Sequence, residues 1–460
     1  MPDDTPAARR PAGRRRLPLR SDAVTSRFRL FSDPVHGFVS VPKGLILSLV
    51  ETPEFQRLRR IRQLGLGFLA FPGAVHTRFE HGLGAMALMQ DALDTLRETG
   101  TVMTTDEVEG ALAAALLHDL GHGPFSHTLE QDLVVPGADG VPHHHEAMSR
   151  ALIARMNDRL GGALACALDI FDGTHDRTFF HDLVASQLDM DRLDYLRRDS
   201  FYTGVAEGVV GVDRVIKTMR VHDGRVVVEA KGAYAVENVL LSRRLMYWQV
   251  YLHKTVVGAD YVLRAAVARA RTSRDPVLDA TAPAFRFFLD GRATADRVDE
   301  PATLDAFTAL DDTDVLYSLK RWTEARDPVL ADLARRLTLR DLFRTVTLDA
   351  PATANDVATW RDAAAEWLVE ERLSSPADAA TDAALYVHTG EARVSAYRPG
   401  VRAICVLERD GRVRDLRETA DAAAGVALSE PATRAFVCLP KPLADRLFSS
   451  EARNPTAGGA

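Results

Sequence analysis

Apolar residues recur at helical spacing over much of the first 270 positions. Leu45, Ile46, Leu49, Phe55, Leu58 and Ile61 fall at near-helical intervals across 44–63, and Thr52-Pro53 interrupts them. Leu83, Met86, Met89, Leu93 and Leu96 repeat in the same way across 82–97, with polar positions between. A hydroxyl at Thr104 or Thr105, followed by Asp106 and Glu107, predicts a helix start, because acids in the first turn suit the positive end of the helix dipole. That helix is expected to run from about 106 to 120, with Gly121 ending it and His118 and Asp119 in its last turn. Further helices are expected at 146–160, 182–199 and 235–272. Residues 220–230 alternate instead, and Asp223-Gly224 between short β-branched runs predicts a small hairpin.

Beyond 272 the pattern changes. Residues 273–300 are rich in Asp, Pro and Thr, 314–347 reads as helical, and 383–440 reads as mixed, with strands near 384–388, 402–408 and 434–439. The expected fold class is mainly α: a helical bundle with a small β-hairpin element and a C-terminal α+β region. The expected division is 1–26 as an Arg/Pro-rich disordered tail, 27–272 as the main domain, and 273–460 as a C-terminal helical, then mixed α+β region.

Composition narrows the class. No run approaches the roughly 20 apolar residues of a membrane helix, and no hydrophobic leader follows the basic start. Cys166, Cys405 and Cys438 lie far apart in no metal spacing, which points to a reducing cytoplasm rather than a disulfide framework. A net charge of −7 makes the whole molecule no obvious polyanion binder. The tail differs: Arg9, Arg10, Arg14, Arg15, Arg16 and Arg20 would make either a solvated extension or an arm that attracts nucleic acid or phosphate.

The candidate chemistry is concentrated. Eight of the 14 histidines lie between His76 and His145. His-Asp occurs at 118–119, 175–176, 181–182 and 222–223, but only the first ends an apolar helix and is followed by Gly-His-Gly-Pro. Imidazole and carboxylate suit a divalent Fe, Zn, Mn or Mg ion. Two further ligands are needed beside His118 and Asp119, and His81 and Asp191 are the candidates. Two His and two Asp would leave open positions for water and a substrate oxygen, as a catalytic rather than a structural site requires. A bound metal can bring the pKa of water down to about 7.

The run Ala115–His127 joins other segments in a fixed order: Phe31–Gly37, Thr52–Arg59, Gln63–Gly65, Phe71–Ala74, Arg78–His81, Asp191–Tyr195, Arg198-Asp199 and Tyr251–Lys254. In order and spacing these resemble the HD-domain phosphohydrolase superfamily, whose metal motif is H…HD…D. More narrowly they resemble its deoxynucleoside triphosphate triphosphohydrolases, although no SAM domain is expected to precede the HD domain here. The resemblance covers about 29–270, and more loosely 314–347. It implies that His81, His118, Asp119 and Asp191 bind the metal, and that His122, His127 and His145 line the cleavage site. His127 would protonate the leaving 5′ oxygen, with Glu130, where animal members have Asp, orienting it from three residues on. Arg78, Arg192, Tyr195, Arg243 and Lys254 would lie near the triphosphate or the floor of the site. Gln63 and Asp199 would hold the sugar 3′ hydroxyl, and Tyr251 would crowd the 2′ position. Arg29, Gln56, Arg59 and Arg220 match some of the family's allosteric nucleotide positions.

The resemblance therefore implies a nucleotide substrate, a divalent metal cofactor, a homo-oligomer (dimer or tetramer) and a possible nucleotide activator. The leading expectation is hydrolysis of a dNTP to deoxynucleoside and tripolyphosphate through a metal-activated water. One alternative is a phosphatase for nucleoside monophosphates or modified nucleotides of a biosynthetic pathway, motivated by Leu252 and the His143–His145 run. Another is a nucleotide sensor or nucleic-acid-binding protein with little turnover, motivated by the arginine tail.

Overall fold

The computed structural model describes residues 27–136, 144–400, 403–419 and 430–448. The Arg/Pro-rich segment 1–26 and His143 lie outside the described residues. The chain opens with a hairpin that the sequence pattern did not announce, β1 (Phe28–Asp33) and β2 (Gly37–Pro42), paired antiparallel with Asp33 opposite Gly37. The Asp33 carboxylate accepts the N–H groups of Val35 and His36 and so closes the turn.

Helices follow. They are α1 (Leu45–Val50), α2 (Pro53–Arg57), α3 (Arg78–Glu98), α4 (Thr105–Leu117), α5 (Glu130–Leu133), α6 (His145–Arg159), α7 (Ala165–Asp172), α8 (Phe179–Val184), α9 (Met190–Thr203) and α10 (Val212–Lys217). The expected break at Thr52-Pro53 is present: the Thr52 hydroxyl caps α2 and Pro53 occupies its first turn. The expected capping at Thr104 is also present, with the Thr104 hydroxyl accepting from the Glu107 N–H and the Glu107 carboxylate accepting from the Thr104 N–H. This helix stops at Leu117, so His118 is its C-cap and Asp119 lies in the following turn rather than in the last turn itself.

Two expected helices are broken. The span 182–199 divides into α8 and α9 because the Asp189 carboxylate accepts the N–H groups of Ser186 and Arg192, which closes a turn and caps a new helix. The span 235–272 divides into α11 (Ala233–Met246), a π-helical turn at Tyr247–Tyr251, and α12 (Lys254–Thr272) capped by His253. The expected hairpin is β3 (Met219–His222) and β4 (Arg225–Glu229), with Asp223 and Gly224 both left-handed at the turn.

Residues 273–300 contain α13 (Pro283–Leu289), and α14 (Pro301–Ala309), α15 (Asp312–Trp322) and α16 (Pro328–Thr338) follow. The span 314–347 ends in a strand, β5 (Arg344–Leu348), not in a helix. Its partner is distant: β5 pairs with β9 (Ala432–Leu439), which also pairs with β6 (His388–Val394). The strand expected at 384–388 thus begins only at His388. A second sheet joins β4 in parallel to β7 (Cys405–Leu407), which pairs with β8 (Val413–Asp415).

The first bundle centres on α3, which packs against α4 and α9. One apolar core runs on from there, across residues 272–300, through α12, α16 and the β5–β9–β6 sheet. No helix among the described residues is long and apolar enough to cross a membrane.

Candidate active site

Three elements bring four ligand groups to one point. His81 lies one turn into α3 and is fully buried. His118 caps α4, with Asp119 beside it, and Asp191 lies in the first turn of α9. His81 Nε2 is 3.3 Å from His118 Nε2, 3.1 Å from Asp191 Oδ1 and 3.4 Å from Asp119 Oδ2. His118 Nε2 is 3.3 Å from Asp119 Oδ1 and 3.5 Å from Asp191 Oδ1. Donors held about 2.1 Å from one ion stand about 3.0–3.4 Å apart, so this spacing fits a shared cation.

The outer nitrogens fix the tautomers. His118 Nδ1 donates to the Ala115 carbonyl at 2.8 Å, and His81 Nδ1 bonds Asp194 Oδ2 at 2.7 Å. Both Nε2 atoms are thereby turned inward, where they could serve as ligands. Burial disfavours a charged His81 ring, but the carboxylates of Asp191 and Asp194 outweigh it and push its pKa up to about 10. Burial also opposes ionised Asp119 and Asp191, yet Arg78, His118 and His122 hold Asp119, and His118 and His81 hold Asp191, well below the usual carboxylate range. Such a concentration of anionic donors calls for positive charge at its centre, which a divalent cation would provide.

Asp194 is a site residue the sequence reading missed. It accepts from His81, from His36 Nε2 at 2.6 Å and from Arg198 Nε at 2.8 Å, while Arg198 Nη1 reaches Asp33 at 2.8 Å. Arg198 therefore belongs with Asp194 behind the cluster, not with Asp199 in the cleft. The i,i+4 spacing of Asp194 and Arg198 was the one available signal.

A second group stands beside the first. The ligand atoms of His122, His127 and His145 lie within 4.8 Å of one another. Glu130 Oε2 accepts from His127 Nδ1 at 2.9 Å, and its Oε1 accepts from His145 Nδ1 at 2.7 Å. Glu130 thus contacts two rings, where only His127 was expected. Burial resists its charge, but His127 and His145 hold it far below the usual carboxylate range. His122 is buried 3.2 Å from Asp119 Oδ1, and burial together with Arg78 keeps its pKa well below that of free imidazole.

Both groups meet a cleft of about 580 Å³ lined by Gln63, Arg78, Arg192, Tyr195, Asp199, Arg243 and Tyr251, together with His122, His127, His145, Asp119 and Asp191. Arg78 joins Asp119 and also gives its Nε to Ser126 Oγ at 2.8 Å. Arg192 is tied to the Asp189 cap. The Tyr251 hydroxyl donates to Asp199 Oδ2 at 2.8 Å, while His76 Nε2 lies 2.8 Å from Asp199 Oδ1. Gln63 Oε1 is buried without a hydrogen-bond partner among the described residues.

Lys254 departs from expectation. The π-turn and the restart at His253 place it in a neighbouring cavity with Trp248 and Arg434, and Leu252 and Val257 line both cavities. The four residues expected at an allosteric site lie outside the cleft. Arg29 is 3.7 Å from Glu51, Gln56 donates to the Val50 carbonyl and accepts from Arg59, and Arg220 is 3.1 Å from Glu229.

The loop that carries His122 and His127 is braced from two sides. Buried Arg57 gives Nη2 to the His122 carbonyl at 2.8 Å and Nε to the Leu310 carbonyl at 2.6 Å. Asp312 accepts from the N–H groups of Phe125 at 2.8 Å and Arg62 at 3.0 Å. Phe125 and Ser126 are both left-handed, at φ 56° and 55°, a costly backbone pair that these bonds hold in place.

Comparison with known proteins gives the family. A model of the HD domain matches residues 78–198, and one of an HD-associated region matches 210–281. A crystal structure of a phosphohydrolase from Bacteroides thetaiotaomicron is 38% identical and superposes with a TM-score of 0.82, covering 90% of this chain and 100% of that one. The chain belongs to the HD-domain phosphohydrolase superfamily. This HD-domain protein is also 37% identical over 331 residues to the uncharacterized protein YwfO of Bacillus subtilis, covering 70% of this chain and 72% of that protein. Over 256 residues it is 31% identical to a deoxynucleoside triphosphate triphosphohydrolase SAMHD1 homolog of Dictyostelium discoideum, covering 53% of this chain and 49% of the homolog. The HD-domain chain thus spans about half the length of that relative.

Proposed function

We propose that this phosphohydrolase cleaves dNTPs into deoxynucleoside and tripolyphosphate. The observation that carries the reading is the joining, in one cleft, of four arginines, Asp119 and Asp191 of the His/Asp cluster, and the Asp199–Tyr251 pair. His81, His118, Asp119 and Asp191 would hold a divalent cation (Fe, Zn, Mn or Mg), which when bound polarises a phosphoryl oxygen and acidifies a water. Arg78, Arg192 and Arg243 supply fixed positive charge for the phosphates and for the charge that develops as the bond breaks. His127, its Nδ1 held by Glu130, would serve through Nε2 as the proton donor to the leaving 5′ oxygen. His122 and His145 line the same wall of the cleavage site. Gln63 offers its unpartnered oxygen and Asp199 its carboxylate to a sugar hydroxyl, while the Tyr251 ring crowds the adjacent sugar carbon.

Incubating the purified protein with each dNTP and a divalent metal tests the proposal. Tripolyphosphate is the expected product, and pyrophosphate or single phosphates would reject it. Hydrolysis confined to nucleoside monophosphates would favour the phosphatase alternative. A homo-oligomer in the cytoplasm, with a nucleotide activator, completes the proposal; light scattering that finds only monomer with and without nucleotide overturns the oligomer.

A further inference from the structure

The cleft is lined by charged groups, among them Arg78, Arg192, Arg243 and Arg264, and by the apolar side chains of Leu64, Leu252, Val256, Val257 and Phe436. If the cleft takes a nucleotide, as the proposed function holds, the phosphates go to the arginines and the base goes to the apolar lining.

Asp260, on α12, lines the cleft beside Val256 and Val257. Its Oδ1 accepts from the Thr128 hydroxyl at 2.8 Å, next to His127 in sequence. Its other oxygen has no partner among the described residues, and no ion pair forms on the group there. Arg264, one turn further along α12, gives its Nε to Asp132 at 2.8 Å instead. Burial pushes the Asp260 pKa up to about 7, although the Thr128 hydrogen bond and the charge of nearby Arg264 pull it down. A carboxylate in apolar surroundings is satisfied by two neighbouring N–H donors. Among the DNA bases, only guanine offers such a pair on one edge, its ring N1–H and its exocyclic amine.

We propose that Asp260 reads the base of the substrate by accepting the paired N–H groups of guanine, so that the cleft prefers dGTP. The critical comparison is dGTP with dITP, which lacks only the exocyclic amine. Wild type should favour dGTP over dITP in kcat/KM by about tenfold, the scale of one well-placed base contact. In Asp260→Asn and Asp260→Ala the ratio should fall toward one. A role limited to bracing Thr128 would slow both substrates alike and leave the ratio unchanged, and that result overturns the inference. Thermal-shift titrations of the same full-length proteins with both nucleotides read the preference without turnover. If no dNTP yields tripolyphosphate but binding keeps an Asp260-dependent dGTP preference, the proposed reaction fails and the base reading stands. Equal binding of dGTP and dITP by wild type removes the base reading alone.

Discussion

At the scale of single residues, the proposed site separates groups that would hold a metal from groups that would react. His127 is two-thirds exposed at its side chain, yet Glu130 fixes its Nδ1. Replacing His127 by Ala removes the proposed acid while leaving the four convergent ligands in place. Turnover should fall about 10²–10⁴-fold, with bound metal per chain unchanged by elemental analysis; loss of the metal together with the rate would instead make His127 a ligand. Asp194 acts one step further back, through His81. Gly84 tests that step without altering a ligand: a Cβ there would stand 2.0 Å from Asp194 Oδ1 and 2.4 Å from Arg198 Nη2. Gly84→Ala should push Asp194 off His81 and weaken metal binding about 10–100-fold, measured by competition with a chelator of known affinity. Metal affinity equal to wild type would show that Asp194 does not set the His81 ring. The convergence of the candidate ligands was legible because His118-Asp119 ends an apolar helix and is followed by Gly-His-Gly-Pro. Asp194, His36 and Asp260 were not, because each takes its role from a partner far away in the chain.

At the scale of elements, the site depends on where helices stop. α4 ends at Leu117, and the turn after it carries Asp119 and His122 inward. Gly121 sits in this turn against α6, where a Cβ would meet the His145 carbonyl oxygen at 2.0 Å and the Ser149 nitrogen at 2.4 Å. Backbone atoms cannot swing aside as a side-chain tip can, so Gly121→Ala must move α6 or the turn. A loss of about 3 kcal/mol is expected, read from the urea midpoint at constant slope; activity should fall as well, because α6 begins at His145. A variant as stable as wild type would mean that the two segments are loosely joined. α3 could be read directly from its apolar spacing and α4 from the Thr104 cap, although 110–117 of α4 is buried on every side. The break at 186–189 could not, because Leu183, Leu188 and Met190 continue the apolar pattern across it and only the Asp189 cap ends the helix. β5 was read as helix for a related reason: its pairing partner β9 lies some 90 residues away, and local spacing carries no trace of it.

At the scale of the molecule, residues beyond 300 are part of the site's support. Leu310 and Asp312 brace the loop that carries His122 and His127, and Phe436 of β9 lines the cleft. The sheet that carries Phe436 is joined to α12 by His388, whose ring stacks on Tyr261 at 4.8 Å and bonds the Leu385 carbonyl through Nε2 at 3.0 Å. Burial holds the pKa of this imidazole down at about 4, against 6.5 for the ordinary group. The fold therefore favours the neutral ring and the unfolded chain takes up the proton first. The stability that His388 contributes is complete above pH 6.5, declines as pH falls below it, and is lost near pH 4, a change of about 3 kcal/mol by linkage. Many carboxylates titrate in the lower part of that window, so the measurement must be a difference. His388→Phe keeps an aromatic ring against Tyr261 and removes the proton site. Urea unfolding of both proteins from pH 7 to pH 4 should show wild type losing stability faster by about that amount, most of it between pH 6.5 and 4.5. Parallel curves would mean that His388 is protonated without penalty, and that this contact does not couple the C-terminal sheet to the wall of the cleft.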